Sequence, residues 1–250
     1  MQARKNVVNA AKGKVFSIHA KLITLAAQSG GNPDDNPTLA TAIGKAKKDG
    51  VPNENIERSI KKGTGEDKDA AQISEIIYEW YAPGWAAVIV VTLTDNKNRT
   101  VANVRSIFSK FWGNMGESGS VSWNFDRRWV LRFEKTDINA EKLEEAVFET
   151  EALDMSEEWE QIKVITDLEN LRTIEESLKT AWFEAKKSAV EHVPQTMNEI
   201  TDFDMALKII KMIEAFDEDE DVQDIFLNAD IDDTLQTEVI EYIEKHSFKT

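Results

Sequence analysis

Lysine is the residue type whose number and spacing suggest chemistry in this sequence, because lysines are concentrated near its beginning. Residues 1–65 hold 11 Lys and Arg against 5 Asp and Glu, whereas residues 66–250 hold 19 against 41, and the net charge is −16. Ammonium groups gathered in this way are suited to nucleic-acid phosphates. The sequence therefore predicts a basic head on an acidic body, and such a protein is not expected to coat nucleic acid indiscriminately.

The candidate phosphate contacts fall in three groups along predicted helices: four lysines flank the apolar face of a first helix, three end a second helix and two end a third. They are Lys5, Lys12, Lys14, Lys21, Lys45, Lys47, Lys48, Lys61 and Lys62. Lysines at helix C-termini also stabilise the helix dipole, so a structural role stays open for the last two groups. Without an aromatic ladder or a recognition-helix pattern, we expect salt-sensitive binding that depends weakly on sequence.

Other chemistries find little support in the residues. Cysteine is absent, which excludes disulfides and thiolate chemistry, and the isolated His19, His192 and His246 argue against a zinc site and a catalytic triad. Asn228, Asp230 and Asp232 are spaced like the start of a calcium loop, but Asp233 takes the glycine position. We therefore expect no enzyme, no metal and no cofactor. No apolar run reaches the roughly 18 residues of a membrane span, and we expect a cytoplasmic protein.

The hydrophobic pattern predicts three helices in residues 1–65. The second begins at Pro37 behind the N-cap Asn36 and ends before Gly50, and Gly63 ends the third. The first helix has apolar residues at alternating spacings of three and four, which predicts one buried face. These residues are Val8, Ala11, Val15, Ile18, Leu22 and Leu25.

The pattern beyond residue 75 predicts a mixture of strands and helices, and hence an α+β fold. A β-branched apolar run over 86–94 predicts a buried strand, followed by a helix over 96–111 and a strand over 120–125. A β-α-β-α-β unit follows, which predicts a small sheet with helices on one face: 130–133, 140–153, 162–166, 168–181 and 183–190. A helix over 204–216, a strand over 222–227 and a helix over 232–246 complete the chain.

Several short segments along residues 5–231 form a recognisable set of motifs. They are NENIERSIKKGTG at 53–65, DNKNRT at 95–100 with Val104 and Arg105, the glycine-containing segments GNMG at 113–116 and GSV at 119–121, and EDVQDIFLN at 220–228. In this order they resemble segments of the YebC/PmpR family. The resemblance implies three domains, with the third inserted in the second. The implied boundaries are 1–74 for a basic helical domain, 75–126 with 200–250 for an α/β domain, and 127–199 for an inserted α/β domain.

The resemblance implies a non-enzymatic regulator of gene expression. The family comprises probable transcriptional regulators of bacteria and related mitochondrial translational activators, and has been associated with ribosomes stalled on proline-rich sequence. The expected partner is rRNA, tRNA or promoter DNA, bound through the N-terminal domain, and the ribosome is a further candidate; the oligomeric state stays open. A protein-interaction module without a nucleic-acid role is the alternative. The family motif adds Asn96, Asn98, Arg99 and Arg105 to the nucleic-acid candidates, although helix capping is the other reading for either asparagine.

This sequence departs from the family pattern in two respects. Family members usually begin with a basic, aromatic segment resembling MAGHSKW, which this sequence does not show at its start, either because the segment is absent or because the start is assigned to an internal methionine. The family typically has glycine at positions where this chain has tryptophan. The chain has 7 tryptophans, which is a high number, and 11 glycines, which is a low number for its 250 residues. We hypothesise that these tryptophans correspond to UGA codons that the cell reads as glycine. The positions are Trp80, Trp85, Trp112, Trp129, Trp159 and Trp182, whereas Trp123 lies where an aromatic residue is expected.

Overall fold

The structure of the chain is a computed structural model that describes residues 2–67, 69–111, 113–115, 119–157 and 161–247. The chain divides into two compact units, which are residues 1–118 with 207–225 and residues 119–206 with 226–250. The helices are α1 (Gln2–Ala27), α2 (Pro37–Lys48), α3 (Asn53–Gly63), α4 (Lys97–Lys110), α5 (Ala140–Phe148), α6 (Leu171–Thr180), α7 (Phe203–Glu218) and α8 (Asp233–Ser247). The strands are β1 (Ser74–Tyr81), β2 (Ala87–Thr94), β3 (Asn114–Met115), β4 (Phe125–Glu134), β5 (Asp154–Glu157), β6 (Gln161–Thr166), β7 (Lys187–Pro194), β8 (Asn198–Glu199), β9 (Val222–Leu227) and β10 (Ala229–Asp230).

The three predicted N-terminal helices are present in the first unit, and their local signals act as expected. The Asn36 side chain accepts a hydrogen bond from the backbone N–H of Leu39, and Pro37 is the first residue of α2. Gly63 lets α3 approach α1 closely, because a Cβ atom there would lie 2.3 Å from the carbonyl oxygen of Thr24. The buried core between the helices includes, among the residues whose side chains the structure describes, Ile23, Ala27, Leu39, Ala46, Val51 and Ile56.

The predicted buried face of α1 is wrong in detail. Val15 is 41% exposed, whereas Ile23 and Ala27, which lie outside the predicted stripe, are completely or almost completely buried. Val8 and Ala11 belong to the part of α1 whose side chains lie outside the described residues. Because α1 contacts α2, α3 and β2, apolar residues are useful on more than one side of it, and spacing alone does not identify the side facing the core.

The remainder of the first unit is built on a four-stranded sheet in the order β3-β1-β2-β9, in which β1 runs antiparallel to β2 and β3. Every residue of β2 is buried, which confirms the strand predicted from the β-branched run. The helix predicted over 96–111 is confirmed as α4, whose buried residues Thr100, Val104 and Phe108 lie one helical turn apart.

The second unit contains a sheet in the order β5-β6-β4-β7, with each neighbouring pair antiparallel. Its chain order, β4-α5-β5-β6-α6-β7, is the β-α-β-β-α-β arrangement of ferredoxin-like folds. Leu143 and Val147 of α5 and Ile174 and Leu178 of α6 share one core with Leu131, Phe133, Ile162 and Val164 of the sheet. Both helices therefore cover the same face, as the sequence predicts.

Three expectations for the second unit need correction. The strand β5 was missing from the predicted β-α-β-α-β order, because its four residues, DMSE, carry no apolar alternation. Residues 120–125 do not form a strand: residues Ser122–Asn124 make a 3₁₀ turn, and β4 begins at Phe125. The last strand of the sheet is Lys187–Pro194 rather than 183–190, because α6 ends in a turn that includes Phe183.

Two of the predicted glycine-like tryptophans adopt backbone conformations that favour glycine. Trp85 has φ 63° and Trp182 has φ 70°, and both values lie in the left-handed region, which residues other than glycine rarely adopt. Trp80, in contrast, is buried at 3% exposure, and its ring centroid lies 4.0 Å from that of Phe108. Trp129 lies in the paired part of β4, while Trp112 and Trp159 fall outside the described residues. The codon hypothesis itself stays a prediction.

Candidate nucleic-acid interface

The lysines at the ends of α2 and α3 are positioned by identical helix-terminating motifs. In α2 the N–H groups of Gly50 and Val51 bond the carbonyls of Lys47 and Ala46, and Gly50 has φ 78°. In α3 the N–H groups of Gly65 and Glu66 bond the carbonyls of Lys62 and Lys61, and Gly65 has φ 77°. Each helix therefore ends in a Schellman motif, which places its lysines in the last turn.

These terminal lysines are exposed to solvent. Lys47, Lys48, Lys61 and Lys62, which we call the exposed lysine set, have no side-chain hydrogen bond or ion pair with any residue that the structure describes. Lys45 is exposed as well. Lys47 and Lys48 lie in the last turn of α2, and Lys61 and Lys62 lie in the last turn of α3, whose 11 residues span about 16 Å. The set thus offers charge at separated points, as contact with an extended polyanion would require.

Two other predicted cations, Lys21 and Arg99, are brought together by a buried carboxylate. Lys21 Nζ donates to Asp221 Oδ1 at 2.8 Å, and Arg99 Nη2 donates to Asp221 Oδ2 at 2.8 Å. The Thr100 hydroxyl donates to the same Oδ2 at 2.8 Å. The Asp221 side chain is 4% exposed, and that of Lys21 is 16% exposed. We call this group of four residues the Asp221 node.

The charges of the node stabilise one another. Burial alone would raise the pKa of Asp221, but the hydrogen bonds from Lys21, Arg99 and Thr100 outweigh it, and this pKa lies below its ordinary value. The pKa of Arg99 is raised, mainly by its hydrogen bond to Asp221. Burial raises the pKa of Tyr78, with a further contribution from the charge of Asp221. Asp221 is therefore a carboxylate at neutral pH, and its two cations are engaged within the first unit.

The acidic segment that precedes Asp221 engages more of the predicted residues. Lys14 Nζ donates to the backbone carbonyl of Asp217, and Lys21 Nζ also donates to that of Glu220 at 2.7 Å. Lys5 and Lys12 lie on the part of α1 whose side chains are outside the described residues. Of the predicted cations on α1, the two whose side chains are described thus bind the protein's own acidic segment.

The DNKNRT motif at 95–100 builds the start of α4 and one side of the Asp221 node. The Asn96 side chain caps α4 by accepting from the N–H of Arg99 at 3.1 Å, which is the capping reading of the sequence. The backbone N–H of Asn96 donates to Thr94 Oγ1 at 2.9 Å, and the Thr100 hydroxyl also lies 2.7 Å from Thr94 Oγ1. Asn98 and Arg105 are exposed on α4. The motif therefore has a clear structural task whatever else it does.

Sequence reasoning missed Asp221 and Thr100 as partners of the predicted cations. Both residues lie in segments that resemble the family, DNKNRT and EDVQDIFLN, but they are 121 positions apart. Only the pairing of β9 with β2, through which Leu93 N–H donates to the Asp221 carbonyl at 2.8 Å, brings the two segments together. The co-occurrence of both segments was the one available signal.

A helical region followed by two four-stranded sheets, with lysines at helix ends, defines a class of α+β protein, and comparison with known proteins identifies the family. The N-terminal domain of the TACO1/YebC proteins matches residues 1–66, and their second and third domains match residues 73–229. The chain belongs to the TACO1/YebC family.

Similar proteins agree with this assignment. A probable transcriptional regulatory protein of Geotalea uraniireducens is 44% identical over 91% of this chain and 92% of its own length. One from Desulfosudis oleivorans is 43% identical over 93% of this chain and 94% of its own. The crystal structure of a conserved hypothetical protein from Aquifex aeolicus is similar with a TM-score of 0.82 and 40% identity, covering 90% of this chain and 93% of that one. Within the described ranges, no helix is long and apolar enough to cross a membrane.

Proposed function

We propose that this protein is a non-enzymatic, cytoplasmic regulator of gene expression that binds nucleic-acid phosphates through the ends of α2 and α3. The observation that carries the proposal is the exposed lysine set, whose four ammonium groups have no partner among the described residues. Four such charges on an otherwise strongly acidic chain localise the attraction for a polyanion to one region. The proposed three-domain boundaries assign this region to residues 1–74.

Structured RNA on the ribosome is the partner that we favour. The exposed lysine set stands in the last turns of two helices, where side chains can contact phosphates. Proteins that read DNA sequence usually present residues near the N-terminus of a recognition helix to base edges in the major groove. Contacts to phosphates at separated points suit a folded RNA, and we propose a translation factor that supports synthesis of difficult, proline-rich stretches.

Promoter DNA is the second candidate partner. Relatives that match over most of their length carry the name of probable transcriptional regulatory protein, which favours this function. A transcriptional regulator of this kind would show a preference for a defined half-site in selected DNA. A preference for one DNA sequence over others of equal length would therefore favour transcription over translation.

Sedimentation of tagged protein through sucrose gradients tests the proposal. We expect the protein to comigrate with ribosomal particles at low salt and to leave them at high salt, because phosphate contacts weaken as salt rises. A double variant with Lys47→Glu and Lys48→Glu should lose comigration at low salt. The matched control carries Lys142→Glu and Lys179→Glu, which make the same charge change on exposed residues of α5 and α6.

The other possible results of this experiment contradict different parts of the proposal. Protein at the top of the gradient at both salt concentrations contradicts ribosome association, and binding to selected promoter DNA would then be measured. Absence of binding to both RNA and DNA would leave the alternative of a protein-interaction module. Equal loss of comigration in the two double variants would contradict the proposed surface.

A further inference from the structure

A groove of about 450 Å³ runs along the contact between α1 and α3 in the first unit. Its walls include Phe16 and Ser17 from α1, and Asn55, Arg58 and Lys62 from α3. The volume lies within the range of roughly 300–1,000 Å³ that is usual for sites binding small organic groups. Close approach of α3 to α1 at Gly63, where a Cβ atom would collide with α1, keeps the two walls together near one end of the groove.

The groove is positively charged on its α3 side. Arg58 and Lys62 are one helical turn apart and exposed, and neither has a side-chain partner among the residues that the structure describes. Among the described residues that line the groove, Asp95 has the one carboxylate, and it is already paired with Arg99 Nη2 at 3.0 Å. A guanidinium and an ammonium at this spacing are suited to hold one phosphate between them.

The α1 side of the groove offers an apolar surface with polar groups beside it. Phe16 packs against the core of the helical region, which restricts its ring, and Ala20 lies one turn further along the same wall. The side chains of Ser17 and Asn55 have no hydrogen-bond partner within the described part of the chain. An aromatic surface flanked by hydroxyl and amide groups is suited to a nucleobase, which has an apolar face and a polar edge.

A second compartment of about 220 Å³ continues from the first and is lined in part by the same residues, Thr24, Lys62 and Ala70. Lys62 therefore stands where the two compartments meet. In a polynucleotide a phosphate links each nucleoside to the next. A cation at the junction of two compartments is placed for that phosphate, with one nucleoside on each side of it.

We propose that this groove binds an unstacked nucleotide of a single-stranded nucleic acid, with its phosphate between Arg58 and Lys62 and its base against Phe16. This inference rests on the proposed function, and it deepens that function by naming a site that distinguishes single strands from duplexes. Bases of a duplex are stacked and paired, so they cannot enter the groove, whereas Lys47, Lys48 and Lys61, which lie outside it, contact phosphates of either form.

Fluorescence anisotropy on the full chain tests the proposal with a labelled single-stranded RNA and a blunt-ended duplex of the same RNA with its complement. The variants are Arg58→Gln, which removes a groove charge, and Ser17→Trp, which fills the groove without a charge change. The control is Lys48→Gln, which removes one exposed charge outside the groove. We expect both groove variants to lower affinity for the single strand about tenfold and to change affinity for the duplex much less. Lys48→Gln should weaken both by a similar factor.

The outcomes separate this inference from the proposed function. Groove variants that weaken single-strand and duplex binding equally, or that change neither, would overturn the groove and leave nucleic-acid binding intact. If the wild type binds neither polymer, titration with adenosine monophosphate followed by calorimetry decides. Binding of this nucleotide that Arg58→Gln abolishes would support a nucleotide site and contradict the polymer-binding function. Absence of all binding would overturn both. Thermal melting of each variant establishes that it folds.

Discussion

The first unit contains two sets of lysine and arginine residues that the sequence placed in one class and the structure places in opposite situations. Lys21 and Arg99 bind the buried carboxylate of Asp221 within 2.8 Å. The exposed lysine set, at the ends of α2 and α3, has no such partner among the described residues. A local excess of lysine and arginine can therefore be interpreted as an interface only after the residues that form internal ion pairs have been subtracted.

The two sets should also contribute differently to the free energy of unfolding. An exposed lysine at a helix end adds a few tenths of a kcal/mol through the helix dipole. The buried Asp221 carboxylate accepts hydrogen bonds from two cations and a hydroxyl, and it thereby joins α1, α4 and the segment before β9. Its removal leaves these donors without their acceptor. The node is therefore expected to serve stability, and the exposed lysine set to serve binding.

Removal of the node carboxylate should have the largest effect. We expect Asp221→Ala to lower the free energy of unfolding by about 2–3 kcal/mol, because Lys21 and the Thr100 hydroxyl lose their shared acceptor in a mostly buried place. Urea denaturation followed by tryptophan fluorescence measures the change. The control Asp217→Ala removes an exposed carboxylate from the same acidic segment, and it should stay within about 0.5 kcal/mol of the wild type. Equal losses of unfolding free energy in Asp221→Ala and Asp217→Ala would contradict the special contribution of the Asp221 node.

The pH dependence of the unfolding free energy should show the contribution of the Asp221 carboxylate when the wild type is compared with Asp221→Asn. The pKa of Asp221 in the folded protein lies below its ordinary value, so its contribution to stability is complete above the unfolded pKa of about 3.9. That contribution is lost as pH falls through the folded pKa. The difference in unfolding free energy between wild type and Asp221→Asn should therefore be constant from pH 5 to 7 and shrink below about pH 4. A difference that grows on acidification would contradict the direction of the pKa shift.

Single lysine substitutions should separate binding from stability. We expect Lys48→Gln to reduce the slope of log affinity against log salt by about one, because one phosphate contact is lost, and to change unfolding free energy by less than about 0.5 kcal/mol. Lys21→Gln should lower unfolding free energy by about 1–2 kcal/mol and leave the salt slope unchanged, because its ammonium is committed to Asp221. A reduced slope for Lys21→Gln would show that nucleic acid competes with Asp221 for this lysine.

The sequence was sufficient for the parts of the fold that depend on local signals. Asn36, Pro37 and Gly50 mark the ends of α2, and the apolar run of β2 marks a buried strand, because capping and burial act on neighbouring residues. The α1 face and β5 were not predictable in this way, since both depend on what packs against them. The Asp221 node depends on residues 121 positions apart, so it could be found only from the paired strands. Membership of the family, in contrast, was predictable from motif order and is confirmed.

Trp182 and Trp123 provide a second comparison, because both are exposed tryptophans but only Trp182 takes the backbone conformation of a helix-ending glycine. At the end of α6 the N–H groups of Trp182 and Phe183 bond the carbonyls of Lys179 and Leu178, the pattern in which Gly50 and Gly65 end α2 and α3. Trp182 has φ 70° and is 94% exposed, so it occupies a glycine position without packing to compensate. Trp123 is also exposed, at 69%, but it donates Nε1–H to the Ser120 carbonyl at 2.9 Å.

We expect Trp182→Gly to raise the free energy of unfolding by about 0.5–1 kcal/mol, since relief of the left-handed strain exceeds the entropy cost of glycine. Trp123→Gly should lower it by a similar amount, because it removes a hydrogen bond and adds backbone freedom. Paired urea denaturation curves measure both. Stabilisation at Trp182 together with UGA codons at the glycine-like positions would support reading these codons as glycine. Destabilisation at Trp182 would contradict the Schellman argument, and UGG codons there would contradict the hypothesis directly.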